Sequence, residues 1–190
     1  MAKGKLVLVL GGARSGKSQF AEKLAEKLGE HIVYLASASV ADEEMARRVK
    51  IHQERRPSNW QTKEETLKIV NAVAELNGNC EVILFDCLTL WLSNLLLNGL
   101  LPKSGTSWPE KENYILKEVE RLAEYCTTMD THVIIVSNEV SLGIVPDNRL
   151  GRSFRDVAGR ANQIIAQHAD EVYLVAAGIP IEIKSKAYQI

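Results

Sequence analysis

Eight consecutive residues near the start of the chain carry its clearest chemical signal. Gly11, Gly12, Ala13, Arg14, Ser15, Gly16, Lys17 and Ser18 match the pattern G-x-x-x-x-G-K-[ST]. The three glycines let a backbone turn tightly and aim its N–H groups at phosphate oxygens. A helix that starts there adds the positive end of its dipole. Lys17 is then placed to reach the β- and γ-phosphates of a nucleoside triphosphate, and Ser18 to offer its hydroxyl to Mg²⁺. The alternative is a glycine-rich turn capped by a serine. The flanks argue against it: the apolar run Lys5–Leu10 precedes the motif, and Phe20, Leu24 and Leu28 follow at helical spacing.

Two further residues could do chemistry with that loop. Asp86 ends the apolar run Glu81–Asp86 (EVILFD), a position from which its carboxylate would hold Mg²⁺ directly or through water. The alternative is an Asp that caps the next helix. His52 lies in the segment Asp42–Arg56, read as a helix that is acidic at its start and basic at its end. Met45, Val49 and His52 are spaced i, i+4, i+7 and share a face. Arg47, Arg48, Lys50, Arg55 and Arg56 surround the histidine. Burying so many charges would be prohibitive. The cluster is either a solvated helix end or one wall of a polyanion site, and helix arguments alone favour the solvated end. His31, His132 and His168 fall at element ends and read as structural.

These residues need elements to position them. Short apolar runs alternate with amphipathic segments: strands at Lys5–Leu10, Ile32–Ala36, Glu81–Asp86 and His132–Ser137, and helices at Ser18–Leu28, Glu64–Leu76, Leu88–Leu97, Pro109–Cys126 and Ser153–Gln167. A short strand is expected around Trp60–Thr62. Asn138–Arg152 reads as a long polar loop. Glu171–Ala176 and Ile179–Lys184, separated by Ala177-Gly178, read as a C-terminal β-hairpin at one sheet edge. Apolar strands without alternation imply a sheet covered on both faces. The expected fold is a three-layer α/β domain, mainly parallel, spanning residues 1–190 as one unit.

Composition bounds the partners. The 190 residues are 46% hydrophobic and 25% charged, with 23 Lys+Arg against 24 Asp+Glu. A net charge of −1 leaves no global basic excess to grip nucleic acid or an anionic membrane. A polyanion must be held locally. Three scattered cysteines at Cys80, Cys87 and Cys126 suggest neither a disulfide scaffold nor a zinc site. The first strand begins almost at Met1, which leaves no room for a signal peptide, and Leu88–Leu97 is far short of a bilayer span. A cytoplasmic protein is the expectation.

With these segments in view, the chain resembles the bifunctional adenosylcobinamide kinase / adenosylcobinamide-phosphate guanylyltransferase family of cobalamin biosynthesis. The likeness rests on GGARSGKS (Gly11–Ser18), YLAS (Tyr34–Ser37), HQERRP (His52–Pro57) and FDC (Phe85–Cys87), and on NEVSLGIVP (Asn138–Pro146) and RLGRSFRDVAGRANQ (Arg149–Gln163). The resemblance implies a RecA-like P-loop core and a homotrimer. It implies phosphorylation of the aminopropanol hydroxyl of adenosylcobinamide by ATP or GTP. It further implies transfer of GMP from GTP to that phosphate, through a GMP–histidine intermediate at the residue matching His52, giving adenosylcobinamide-GDP and pyrophosphate. Family nucleotide contacts map onto Tyr34, Leu35, Ala36, Ser37, Gln53, Glu54, Arg55, Arg56, Glu64 and Asp86.

The chemistry is compatible with the residues. A neutral imidazole is a competent nucleophile toward an α-phosphate, and guanidiniums can spread charge on phosphoryl oxygens and on leaving pyrophosphate. The resemblance therefore reverses the preference for a solvated helix end. Some relatives pair histidines here, whereas this chain has Ile51-His52. Glu139, Arg149, Arg152, Arg155 and Arg160 could approach phosphates, face another subunit, or simply pair on a helix surface. Trp91 reads as core rather than as a corrin contact. Two other functions share the loop and Asp86: a monofunctional P-loop kinase of another small alcohol or nucleoside, and a RecA-like ATPase acting on nucleic acid. The balanced charge disfavours the second.

Overall fold

The computed structural model describes residues 3–38, 57 and 59–188. In chain order the elements are β1 (Leu6–Gly11), α1 (Lys17–Leu28), β2 (Ile32–Ala36), β3 (Gln61–Glu64), α2 (Ile69–Leu76), β4 (Val82–Asp86), α3 (Leu88–Leu97), α4 (Trp108–Cys126), β5 (His132–Asn138), α5 (Arg149–His168), β6 (Glu171–Ala176) and β7 (Ile179–Glu182). A 3₁₀ turn at Lys184–Lys186 follows. The strands form one seven-stranded sheet in the order β3-β2-β4-β5-β1-β6-β7. Every neighbouring pair is parallel except β6 with β7.

Side chains alternate across a strand, so each central strand feeds two cores. Leu6, Leu8 and Leu10 of β1 join Leu35, Ile83, Phe85, Val133 and Ile135 beneath α2, α3, α4 and α5. Val7 and Val9 join Tyr34, Leu84, Ile134 and Val136 on the other face, where α1 contributes Ala21 and Ala25. Both faces are covered, as the unbroken apolar runs require. Each fully buried Leu or Val contributes about 1.5–3 kcal/mol. Trp91 is wholly buried, donates Nε1–H to the Leu67 carbonyl at 2.9 Å, and meets Phe85 edge-on at 6.2 Å. It is core, as its helical spacing suggests.

Two expected boundaries move. The helix expected from Glu64 starts at Ile69, because Gln61–Glu64 instead pairs with β2 as an edge strand. Glu65 then closes a turn, its Oε1 accepting from the N–H groups of Leu67 and Lys68 at 2.8 and 2.9 Å. Strand pairing here overrides the helical propensity of Glu-Glu-Thr-Leu-Lys. The polar loop expected through Arg152 ends earlier, with α5 beginning at Arg149. Asn148 is its N-cap, accepting from Gly151 N–H at 2.7 Å, a signal present in the sequence. The helix expected over Asp42–Arg56 lies outside the described residues.

The other elements lie close to their expected bounds, except that β7 ends at Glu182 rather than Lys184. Ser107 and Glu110 form a reciprocal capping box at the start of α4, with Pro109 in its first turn. Ala177 and Gly178 both have positive φ, 52° and 79°, the backbone of a tight two-residue hairpin. His132 Nδ1 accepts from Lys5 N–H at 3.0 Å, and His168 pairs with Glu120 at 2.7 Å, so both are structural. His31 stands 3.6 Å from Glu81. Cys80, Cys87 and Cys126 are free thiols. No described helix is long and apolar enough to cross a membrane.

One carboxylate ties off the hairpin. Glu182 accepts from the backbone N–H groups of Val172, Lys184 and Ser185 and from the Ser185 hydroxyl. These donors pull its pKa from 4.5 to about 2, the Ser185 hydroxyl first among them. A depressed carboxylate pKa stabilises the fold fully above about pH 4.5 and ceases to do so as pH falls toward 2. Glu182→Gln is therefore expected to lower Tm at pH 7 and to flatten the fall of Tm between pH 4.5 and 2. Thermal unfolding across that range, monitored by circular dichroism, checks both.

Candidate functional site

Parallel pairing brings the carboxyl ends of the strands to one edge of the sheet. Ala36 of β2 is in register with Glu64 on one side and Asp86 on the other, and Asp86 with Val136 of β5. Gly11 pairs with Asn138 beyond them. Ligands in open α/β sheets gather at this edge. One strand, β5, separates the strand that feeds the glycine-rich loop from the strand that ends at Asp86. At about 4.8 Å per strand, the two lie roughly 10 Å apart. That gap suits an extended polyanion.

The loop's residues take their types for different reasons. A Cβ on Gly11 would stand 2.7 Å from the Val175 carbonyl oxygen and 2.4 Å from Ser15 Oγ, so close approach excludes any side chain. Gly16 sits at φ 93°, in the left-handed region, and forms the N-cap of α1. A Cβ on Gly12 would meet nothing within 4 Å. The motif assigns all three glycines to the turn itself, whereas the free chain needs only Gly11 and Gly16. Arg14 also has positive φ, 57°. Ser15 N–H donates to the Gly12 carbonyl at 3.2 Å, closing the loop.

The loop is short of acceptors. Gly16 has no side chain, so no side-chain oxygen caps the first turn of α1. Its first N–H groups have no intrahelical partner and must find an acceptor elsewhere. Ser15 Oγ is buried with no hydrogen-bond partner among the described residues. Lys17 folds back over the loop and donates Nζ–H to the Gly12 carbonyl at 3.2 Å. Burial lowers its pKa, and the negative charge of Asp86 only partly restores it. The site thus holds a partly dehydrated cation beside unpaired N–H groups, which is what an anion would satisfy.

The β2 and β4 ends are stitched together. Tyr34 donates its hydroxyl to Asp86 Oδ2 at 3.0 Å, which orients the carboxylate and leaves Oδ1 for other work. Ser37 Oγ donates to the Cys87 carbonyl at 2.7 Å and accepts from Cys87 N–H at 3.0 Å. Asn94 Nδ2 donates to the Ser37 carbonyl at 2.8 Å. Leu35 and Ser37 are both fully buried, so their side chains serve packing and the stitch. Ala36 lies half-buried and Glu64 exposed at the same level. The Ser18 hydroxyl and Asp86 carboxylate are hard oxygen donors, a set that suits Mg²⁺ when phosphate and water complete its shell. Among the described residues, no cluster of three His, Cys, Asp or Glu could hold a metal alone.

A buried polar chain beneath this edge is nearly silent in the sequence. Ser137 donates to Asn162 Oδ1 at 2.7 Å, Asn162 Nδ2 to the Asn138 carbonyl at 3.3 Å, and Asn138 Nδ2 to Thr89 Oγ1 at 2.9 Å. Thr89 in turn touches Cys87 Sγ at 3.2 Å. The chain links α5, β5 and α3 to the end of β4. Its one sequence signal is Asn162, a polar residue between Ala158, Ala161 and Ile165 on the buried face of α5. Glu139 N–H donates to the Gly11 carbonyl at 3.1 Å. In the loop that follows, Leu142, Ile144 and Val145 are exposed. Arg152 donates to the carbonyls of Pro146 and Asp147, and Arg155 lies 3.8 Å from Asp156.

The structure therefore gathers Gly11–Ser18, Tyr34–Ser37, Glu64 and Asp86 along one edge. His52, Gln53, Glu54, Arg55 and Arg56 lie outside the described residues.

Comparison with known proteins narrows the reading. The profile of the cobinamide kinase / cobinamide phosphate guanyltransferase family matches residues 7–183. The bifunctional adenosylcobalamin biosynthesis protein CobU of Escherichia coli (strain K12) is 41% identical over 182 residues, covering 94% of this chain and 99% of its own. The protein of the same name from Salmonella typhimurium is 40% identical over 181 residues, with coverage of 94% and 99%. The bifunctional adenosylcobalamin biosynthesis protein CobP of Pseudomonas aeruginosa is 40% identical over 179 residues, with coverage of 94% and 97%.

The different demands on the loop's glycines make a direct test. Gly11→Ala forces backbone apart at Val175 and is expected to cost about 1–3 kcal/mol, the usual range for overpacking. Gly12→Ala is expected to change stability by no more than about 0.5 kcal/mol. Urea unfolding of both variants without ligand measures the contrast. Equal destabilisation would contradict the geometry.

Proposed function

The chain belongs to the cobinamide kinase / cobinamide phosphate guanyltransferase family, and from that premise we propose how its residues divide the two reactions. The enzyme is bifunctional, a kinase and a guanylyltransferase. In the kinase reaction, the γ-phosphoryl group of ATP or GTP passes to the aminopropanol hydroxyl of adenosylcobinamide. In the second, the phosphate so made receives GMP from GTP and pyrophosphate leaves, giving adenosylcobinamide-GDP. The glycine-rich loop binds the triphosphate of the kinase donor. The observation that carries this is the half-buried Lys17 ammonium set beside an uncapped helix start.

In this reading the first-turn N–H groups of α1 donate to the phosphate oxygens. Lys17 swings from the Gly12 carbonyl to the β- and γ-phosphate oxygens, exchanging one weak acceptor for a charged one. Ser18 and Asp86 would hold Mg²⁺, with Tyr34 fixing the carboxylate; the ion would supply neutralising charge to the phosphates. Backbone groups of Leu35, Ala36 and Ser37, with Glu64, line the nucleotide's flank.

For the guanylyl step, His52 is the nucleophile. Its neutral nitrogen attacks the α-phosphorus of GTP, the α–β bridging oxygen leaves with pyrophosphate, and the phosphate of the cobinamide then displaces the imidazole. Arg55 and Arg56 stabilise the charge on the phosphoryl oxygens, and Gln53 and Glu54 complete the segment. The protein works as a cytoplasmic homotrimer. Support for these assignments is the residue pattern HQERRP and the family to which the chain belongs.

Incubation with α-labelled GTP and Mg²⁺ should leave a protein-bound GMP that is stable in alkali and lost in acid. His52→Ala should abolish this adduct while kinase turnover persists. An undiminished adduct on the His52→Ala protein would refute the assignment.

A further inference from the structure

The β6–β7 turn lies against the back of the glycine-rich loop. Gly11 pairs with Val175 in the parallel β1–β6 ladder, so the chain leaving β6 emerges beside the loop. Gly178 N–H donates to the Ser15 carbonyl at 2.8 Å. Its Cα would stand 3.1 Å from a Cβ on Gly16, so the two glycine backbones nearly touch. The turn closes a hairpin whose own pairing does not need this hydrogen bond, since Ala176 and Ile179 already pair across it.

The hydrogen bond has a directional consequence. In a trans peptide the C=O and the following N–H point to opposite sides. The Ser15–Gly16 bond is not among the cis peptides of the described chain. Fixing the Ser15 carbonyl on Gly178 therefore turns the Gly16 N–H away from the hairpin. Without the Gly178 donor this peptide plane could flip, since Gly16 tolerates either sign of φ. A flipped plane would present a carbonyl oxygen to the phosphates.

We propose that Gly178 is a positioning residue for the phosphotransfer site: its N–H clamps the Ser15–Gly16 peptide so that the Gly16 N–H faces the triphosphate. This rests on the reading of Gly11–Ser18 as the kinase nucleotide site. The clamp requires glycine-like backbone at 178, where φ is 79°. Asn tolerates that region and Ala does so poorly. A Cβ at 178 would meet nothing within 4 Å, so any effect of Ala comes from the backbone alone.

The test compares Gly178→Ala, Gly178→Asn and Gly78→Ala. Gly78 has a similar φ of 76° and equal free space, but precedes β4 at the other end of the sheet. Gly178→Ala is expected to raise the KM for ATP about five- to thirtyfold, from the left-handed penalty, with a smaller change in kcat. Gly178→Asn should return KM to within about threefold of the parent, as the residue's tolerance of that region requires. Gly78→Ala should lower Tm comparably and leave KM unchanged. If Gly178→Ala behaves like Gly78→Ala, with lower Tm and unchanged KM, the clamp is overturned while the nucleotide site stands. A Lys17→Met protein distinguishes the deeper failure. Loss of its ATP-induced rise in Tm supports the site, whereas a full rise would overturn the site and the clamp with it.

Discussion

One electrostatic arrangement governs the site: an ammonium group held partly out of water beside a loop whose N–H groups have too few acceptors. Dehydrating Lys17 disfavours its charged form, and Asp86, two strands away, compensates only in part. A fold tolerates such a cost where another molecule removes it. Most of the surrounding architecture follows from keeping that group in place. Close approach at Gly11 seats the loop on β6, left-handed Gly16 starts α1 at Lys17, and both cores anchor β1, which leads into the loop, and β4, which ends at Asp86.

The same edge shows how a parallel sheet makes a site from residues distant in sequence. Ala36, Glu64 and Asp86 are neighbours only because β2, β3 and β4 are in register. Tyr34 and Ser37 then lock β2 to the end of β4 by side-chain bonds, so the Asp86 carboxylate arrives with one oxygen already engaged. The buried chain from Asn162 through Asn138 to Thr89 braces the same edge from beneath. Buried polar chains of this kind cost little when every member is paired, and they specify one arrangement.

Much of this is legible in the sequence, for identifiable reasons. The central strands read correctly because they are apolar on both faces, which only a doubly covered sheet requires. The loop reads correctly because a strand before it and helical spacing after it are local signals. Gly178 announces the hairpin because a turn residue at positive φ favours glycine. What escapes is non-local. The short strand expected around Trp60–Thr62 is present, but its extension to Glu64, read as a helix start, depends on pairing with β2. The separate roles of Gly11 and Gly12 depend on where Val175 lies, which no local pattern encodes. The early start of α5 is different: its signal, the cap at Asn148, is local and present in the sequence.

Function divides along the same line. Loop, lysine and strand-ending aspartate point to a nucleoside triphosphate through their chemistry alone, and the acceptor becomes definite only through family membership across residues 7–183. The most direct test of the central claim is the titration of the Lys17 Nζ by heteronuclear NMR, with and without a non-hydrolysable ATP analogue and Mg²⁺. The expected result is a pKa below 10.5 in the free protein and a rise on binding. A lysine that titrates normally when free, and does not respond to the nucleotide, would contradict it.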